Sequence, residues 1–160
     1  MASSSSSAAS PRASRFLMIA TYVVSVAGLV LAFITLSQDP PSLAWATLLT
    51  VVGGGALSFV RHAVTHRSDA VRLGWDYGTT NAFQIEAGVA NGAWALVGLV
   101  AVVLGWGLVA EGTVFLVFGV YMIGAAIVQL ILKRGVAMSI ASATFGIVLC
   151  IVGWLGVAAA

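Results

Sequence analysis

Five runs of about 20 apolar residues, separated by short polar or proline-bearing breaks, leave this chain few ways to fold. A helix rises about 1.5 Å per residue, so about 20 residues cross a hydrocarbon core about 30 Å thick. Lipid offers a backbone no water to bond, and a helix satisfies its own donors and acceptors. The runs cover residues 16–36, 43–60, 82–110, 113–132 and 136–157, with the second able to extend to residue 73. The expected fold class is all-α, a polytopic membrane helical bundle of five transmembrane helices. Residues 16–160 form its single transmembrane domain. Only 8% of residues are charged and 61% are hydrophobic, whereas soluble domains carry about 25% charged residues, so water is not the main solvent.

The breaks have physical causes. In Gln38-Asp39-Pro40-Pro41-Ser42 neither proline offers an amide donor, which ends the first run. Glu111-Gly112 and Lys133-Arg134-Gly135 divide the later ones. Residues 1–15 are rich in serine and alanine and lack any large apolar side chain, so they are expected to form a disordered cytoplasmic tail. A signal peptide is the poorer reading, because the run that follows exceeds the roughly 7–15 residues of such a segment and no small-x-small site follows it.

Charge placement sets the expected orientation. With the amino terminus cytoplasmic, Arg12, Arg15, Arg61, Arg67, Arg72, Lys133 and Arg134 all fall on the cytoplasmic side, and the far side receives Asp39 and Glu111. That is the positive-inside pattern, and it puts the carboxyl terminus outside in the cell (inner) membrane. Trp75 and Tyr77 then lie at the inner boundary and Trp45, Trp106 and Trp154 near the outer one, as an aromatic belt requires, while Trp94 packs inside the third helix.

Helices in lipid associate by close packing and hydrogen bonding, because the lipid is as apolar as leucine. Small residues therefore mark contact faces. Ser139, Ser142, Gly146, Cys150 and Gly153 form such a stripe in the last helix, and Gly88 and Gly92 form a GxxxG in the third. Packing within the bundle is the first expectation for both, and docking of another membrane subunit or a second copy is the alternative. The lone Cys150 reads as a small packing residue.

Chemistry is concentrated between Arg61 and Asn91, a stretch holding both histidines. His62, His66 and Asp69 are spaced i, i+4, i+7, which puts them on one helix face and makes them weak candidates for a metal site, with Glu86 as a further oxygen donor. Interfacial histidines solvated beside arginines are the plainer reading. Asn81 followed by Gln84 forms a relaxed capping box that opens the third helix. Asn91 lies about 15 Å further along that helix, so it must find a polar partner inside the hydrocarbon. Gln84, Glu86 and Asn91 thus define a candidate polar seam. Arg61, Arg67 and Arg72 supply counter-charge for Asp69, Asp76 and Glu86.

The segment Gly74-Trp75, Gly78, Phe83-Gln84-x-Glu86-x-Gly88-x-Ala90-Asn91, with His62 upstream, resembles a family of small bacterial integral membrane proteins classed as a domain of unknown function. The resemblance covers about thirty residues, with a longer Trp75 to Phe83 spacing and no proline before the Phe-Gln pair. It implies a compact membrane helical bundle, directs attention to His62, Gln84, Glu86 and Asn91, and implies no activity. The translocator-protein family also has five spans, but its tryptophan- and proline-rich signature is missing here.

No catalytic constellation is visible, so the chain reads as a non-enzymatic integral membrane protein: an accessory or scaffold subunit of a membrane complex. One alternative is a small transporter or proton-coupled channel using Gln84, Glu86 and Asn91. Another is a metal- or cofactor-binding membrane protein using His62 and His66. No cofactor is implied outright. The expected partners are the lipid bilayer and other membrane subunits or a second copy, with nothing pointing to nucleic acid.

Overall fold

The computed structural model describes residues 10–74, 80–132 and 135–160 of the chain. Five helices in it are long and apolar enough to cross a membrane: α1 (Pro11–Leu36), α2 (Ala44–Val64), α4 (Ala82–Val103), α5 (Leu108–Ile131) and α6 (Val136–Ala158). The shorter α3 (His66–Leu73) continues from α2. The described residues contain no strand.

α1 begins at Pro11, inside the stretch expected to be a tail. Ser10 caps it, its hydroxyl accepting from the Ala13 amide, and Pro11 occupies a position where no amide donor is needed. After Leu36 the chain turns tightly. The Thr35 carbonyl accepts from the Gln38 and Ser42 amides, and the Thr35 hydroxyl donates to the Ser42 carbonyl at 2.5 Å.

α2 contains two π-helical turns, Leu48–Gly53 and Val60–Val64. The first ends at Gly53, the start of the Gly53-Gly54-Gly55 triplet. Past Val64, Thr65 leaves helical geometry (φ −104°, ψ 31°) and α3 resumes at His66, ending at Gly74 in the left-handed region. The extension toward residue 73 is present, broken once at Thr65.

The boundary between the third and fourth spans differs from the sequence expectation. α4 stops at Val103 rather than near residue 110, because Gly105 (φ 63°) and Gly107 (φ 84°) take left-handed conformations that close the helix, and their apolar neighbours hide this in the sequence. Glu111 is consequently not a loop residue. It lies in the first turn of α5, 6% exposed, where a negative charge suits the helix start. The last helix agrees with its expected span to within a residue.

α5 and α6 form the tightest pair in the molecule. A Cβ on Gly146 would meet the Gly119 carbonyl oxygen at 2.8 Å and the Ile123 nitrogen at 3.0 Å, and one on Gly153 would meet the Gly112 carbonyl oxygen at 2.6 Å. Backbone touches backbone there. Gly146 and Gly153 are buried against this seam, and Ser139 and Ser142 on the same helix are buried within the bundle. On the other side of the bundle, Gly88 and Gly92 let Ala63 and Phe59 of α2 approach α4. Both small-residue faces are spent inside the molecule.

The α5–α6 hairpin meets the remaining helices more sparingly. Near one end the gap is filled by Leu43, Ala46, Val51, Phe115, Leu149 and Val152, all fully buried, with Trp94 packed against them. Trp45, Trp106 and Trp154 are exposed at this end, where a belt is expected; Trp75 and Tyr77 lie outside the described residues. Toward the opposite end, which carries Arg12, Arg15, Arg61, Arg67 and Arg72, the gap stays open. Lys133 and Arg134 lie outside the described residues.

Gly146→Ala should lower the thermal unfolding midpoint in detergent by an amount equivalent to about 1–3 kcal/mol, because the added methyl must push a backbone away. Gly124→Ala, where a Cβ meets nothing within 4 Å, should leave it unchanged or slightly raised. Equal effects would mean that the α5–α6 contact does not limit stability.

Candidate functional site

A polar cluster sits where α1, α2, α3 and α4 meet at the arginine-bearing end, and Asp69 is its centre. The residue is fully buried. Its Oδ1 accepts from the Ser14 hydroxyl at 2.6 Å and from Arg72 Nη2 and Nε at 2.9 and 3.2 Å. Arg61 Nε stands 3.8 Å from the same oxygen. Arg72 Nε also reaches the Ser14 hydroxyl at 3.0 Å. Burial pushes the Asp69 carboxyl up, but the His62 imidazole beside it, the Arg61 guanidinium and the Ser14 hydroxyl outweigh it and hold the group well below the usual carboxylate range.

His62 links this cluster to α4. Its Nδ1 lies 2.5 Å from Gln84 Oε1 and 3.0 Å from Asp69 Oδ2, and its Nε2 lies 2.5 Å from Arg61 Nη2. A guanidinium can only donate, so Nε2 accepts and the ring proton belongs on Nδ1. One N–H cannot serve two oxygens fully. Gln84 takes the shorter bond, and Asp69 Oδ2 is left without a hydrogen bond of good geometry. Gln84 itself is 1% exposed and stands in the first turn of α4, where its amide donates to Asn81 Oδ1 at 3.1 Å, the expected cap.

This arrangement corrects the candidate metal set. His62, His66 and Asp69 share a face only on an unbroken helix, and the π-helical turn and the break at Thr65 change the phase between them. His66 Nδ1 turns to the Ala63 carbonyl at 3.0 Å, while both nitrogens of His62 are already engaged. Among the described residues, no group of three His, Cys, Asp or Glu side chains is placed to hold a metal ion.

The polar seam, by contrast, has a definite place. Gln84, Glu86 and Asn91 line one wall of a cavity of about 550 Å³ enclosed by all five spanning helices. Its floor near the middle of the spans is aromatic: Phe145 meets Tyr22 and Phe118 edge to face, at centroid distances of 6.3 and 6.1 Å. Asn91 is 5% exposed and its Nδ2 donates to the Ala87 carbonyl of its own helix at 2.7 Å, while the Tyr121 hydroxyl faces it from α5. Arg61, His62 and Arg72 form the polar roof, and Met122, Val128 and Met138 contribute apolar wall.

The lining residues that are also exposed place the opening. Phe83 and Glu86 on α4, and Gly124, Val128 and Leu132 on α5, both line the cavity and reach the surface. The mouth runs along the seam between α4 and α5 and toward the arginine end. Glu86 stands at this rim, and among the described residues no ion pair joins it to Arg61 or Arg72. Its expected pairing is not seen, whereas Asp69 does pair with both arginines; Asp76 lies outside the described residues.

Sequence reasoning passed over Ser14, Tyr22, Ser25 and Tyr121. Ser14 was placed in a tail, although Ser10-Pro11 carries a helix-start signature. The others are polar groups within apolar runs, and Tyr22 and Ser25, spaced i, i+3, share a face.

Asp69→Asn should remove about 3 kcal/mol of stability, because it leaves two largely buried guanidinium groups without their counter-charge. The sign of the pH effect follows from the depressed carboxyl. Its contribution is fully present above the ordinary value of 3.8 and is lost as pH falls through the lower folded value. Wild-type protein should therefore lose stability on acidification below about pH 4. Thermal unfolding of both forms across that range checks this, and an identical acid slope in the Asn form would remove Asp69 from the account. Comparison of the chain with protein-family models, curated proteins and solved structures finds no match, so the geometry of this site is the ground for its function.

Proposed function

We propose that this integral membrane protein binds a small amphipathic molecule in the cavity between its five spanning helices, as a carrier or receptor rather than as an enzyme. The observation that carries this reading is the cavity itself, whose volume of about 550 Å³ falls in the range of roughly 300–1,000 Å³ typical of small-molecule sites. Its division into an aromatic floor and a polar roof suits a ligand with an apolar body and one polar end. The packed apolar half beyond the floor supports a closed pocket over an open channel, although a transporter that alternates between two shapes could use the same pocket. Polar groups held inside a membrane mark such pathways by default.

The accessory-subunit reading draws less support from this geometry. Its positive motive was the small-residue faces, and both are buried within the bundle. Of the segment that resembles a small bacterial membrane family, Phe83, Gln84, Glu86, Ala90 and Asn91 lie on the same cavity wall, and the resemblance supplies no activity.

We place the arginine-bearing end on the cytoplasmic side of the cell membrane, on the strength of the positive-inside pattern. A Ser5→Cys label should then react with a membrane-impermeant maleimide in inverted vesicles and not in right-side-out ones; the reverse result inverts the topology.

Native mass spectrometry of protein extracted in mild detergent should retain a small-molecule adduct. Ala90→Phe, which puts a large side chain into the cavity wall, should reduce its occupancy at least by about half, as overfilling a packed site excludes other atoms. An adduct unaffected by that substitution would place binding elsewhere.

A further inference from the structure

We propose that the molecule bound in this cavity carries an oxyanion head, such as a carboxylate, which Arg61 receives; this rests on the cavity reading above. Arg61 lines the cavity and its side chain is only 13% exposed. Its pairing is incomplete. Nη2 donates to His62, which is a neutral acceptor in the tautomer assigned above, and Nε has no hydrogen-bond partner. Asp69, its nearest acid, lies 3.8 Å away with the facing oxygen already occupied by Ser14 and Arg72.

The charges do not cancel locally. Within the cluster Arg61 and Arg72 bring two positive charges against the one negative charge of Asp69. Glu86, the acid that lines the cavity, is exposed at the rim and pairs with neither arginine. A buried guanidinium without full compensation is costly, and a ligand oxyanion would complete its shell. The planar fork of donors matches a carboxylate better than any neutral head.

Two further groups favour the same chemistry. Tyr22 from α1 and Tyr121 from α5 both line the cavity together with Arg61, so phenol groups border the space that an oxyanion held by Arg61 would enter. Behind them Phe118, Phe145 and Met122 offer an apolar bed for a hydrocarbon tail. The opening between α4 and α5 would admit such a molecule from the bilayer. A single acidic head on an apolar tail fits these constraints together.

The test compares dodecanoate with dodecan-1-ol, which share a chain length and differ in the head, at about pH 8, where the acid is ionised. Titration calorimetry on the full chain in detergent should show the acid binding about tenfold or more tighter, as charge-assisted hydrogen bonds imply. Arg61→Gln should bring the two affinities to within about twofold without weakening the alcohol, and Arg61→Lys should keep part of the preference. Equal binding of acid and alcohol to wild-type protein would overturn the oxyanion head while leaving the cavity reading intact. Binding of neither probe would overturn both. Butanoate binding as tightly as dodecanoate would show that the site takes a soluble anion and would overturn the amphiphile. The wild-type comparison decides the matter even in the event that the Gln form does not fold.

Discussion

Apolar side chains have nothing to gain by leaving lipid for one another, so this bundle depends on how closely its backbones can approach. The approach is closest between α5 and α6, where Gly112, Gly119, Gly146 and Gly153 bring backbone against backbone. That pair is nearly self-sufficient. Its other face meets α1, α2 and α4 through larger residues, which fill the space near the tryptophan-bearing end and leave it unfilled near the arginines. The cavity is thus the geometric remainder of two packings with different spacings, one glycine-mediated and one not.

Electrostatics fixes the shape of that remainder at its polar end. Asp69 gathers Ser14 of α1, Arg61 and His62 of α2 and Arg72 of α3, and His62 passes the connection to Gln84 of α4. Four elements are held by one carboxylate. The second π-helical turn of α2 belongs to the same arrangement, since it carries Arg61 and His62 to the roof of the cavity. π-Turns inside helices are uncommon and often accompany functional sites, where they re-aim side chains that an α-helix would direct elsewhere.

The fold was largely legible in the chain because hydrophobic length is decisive in a membrane. The five runs survive as five helices, and the caps at Asn81 and the stops after Leu36 and at Gly74 follow from local chemistry. Where local chemistry was outvoted, the reading slipped. The stop at Gly105-Trp106-Gly107 was masked by apolar neighbours, and with it the burial of Glu111. Of the candidate site, Gln84 and Asn91, seven residues apart, do share a buried face, since a regular helix keeps its phase over that distance, whereas Glu86 falls at the exposed rim of the cavity. His62 and Asp69 do meet, but His66 turns to the Ala63 carbonyl, because the phase is lost at irregular turns. The cavity was not legible at all, being a property of how helices distant in sequence are spaced.

The opening between α4 and α5 bears on what concentration the site would respond to. A doorway flanked by Phe83, Gly124 and Val128 faces acyl chains as much as water, so its supply is the mole fraction of ligand dissolved in the bilayer. Partitioning then enters every affinity referred to aqueous solution. Each added methylene contributes about 0.8 kcal/mol to that partitioning, roughly a fourfold gain in apparent affinity that involves no contact with the protein. Long-chain ligands would thereby seem to be preferred even by a pocket indifferent to chain length, and lipid-to-protein ratio becomes a variable as consequential as ligand dose.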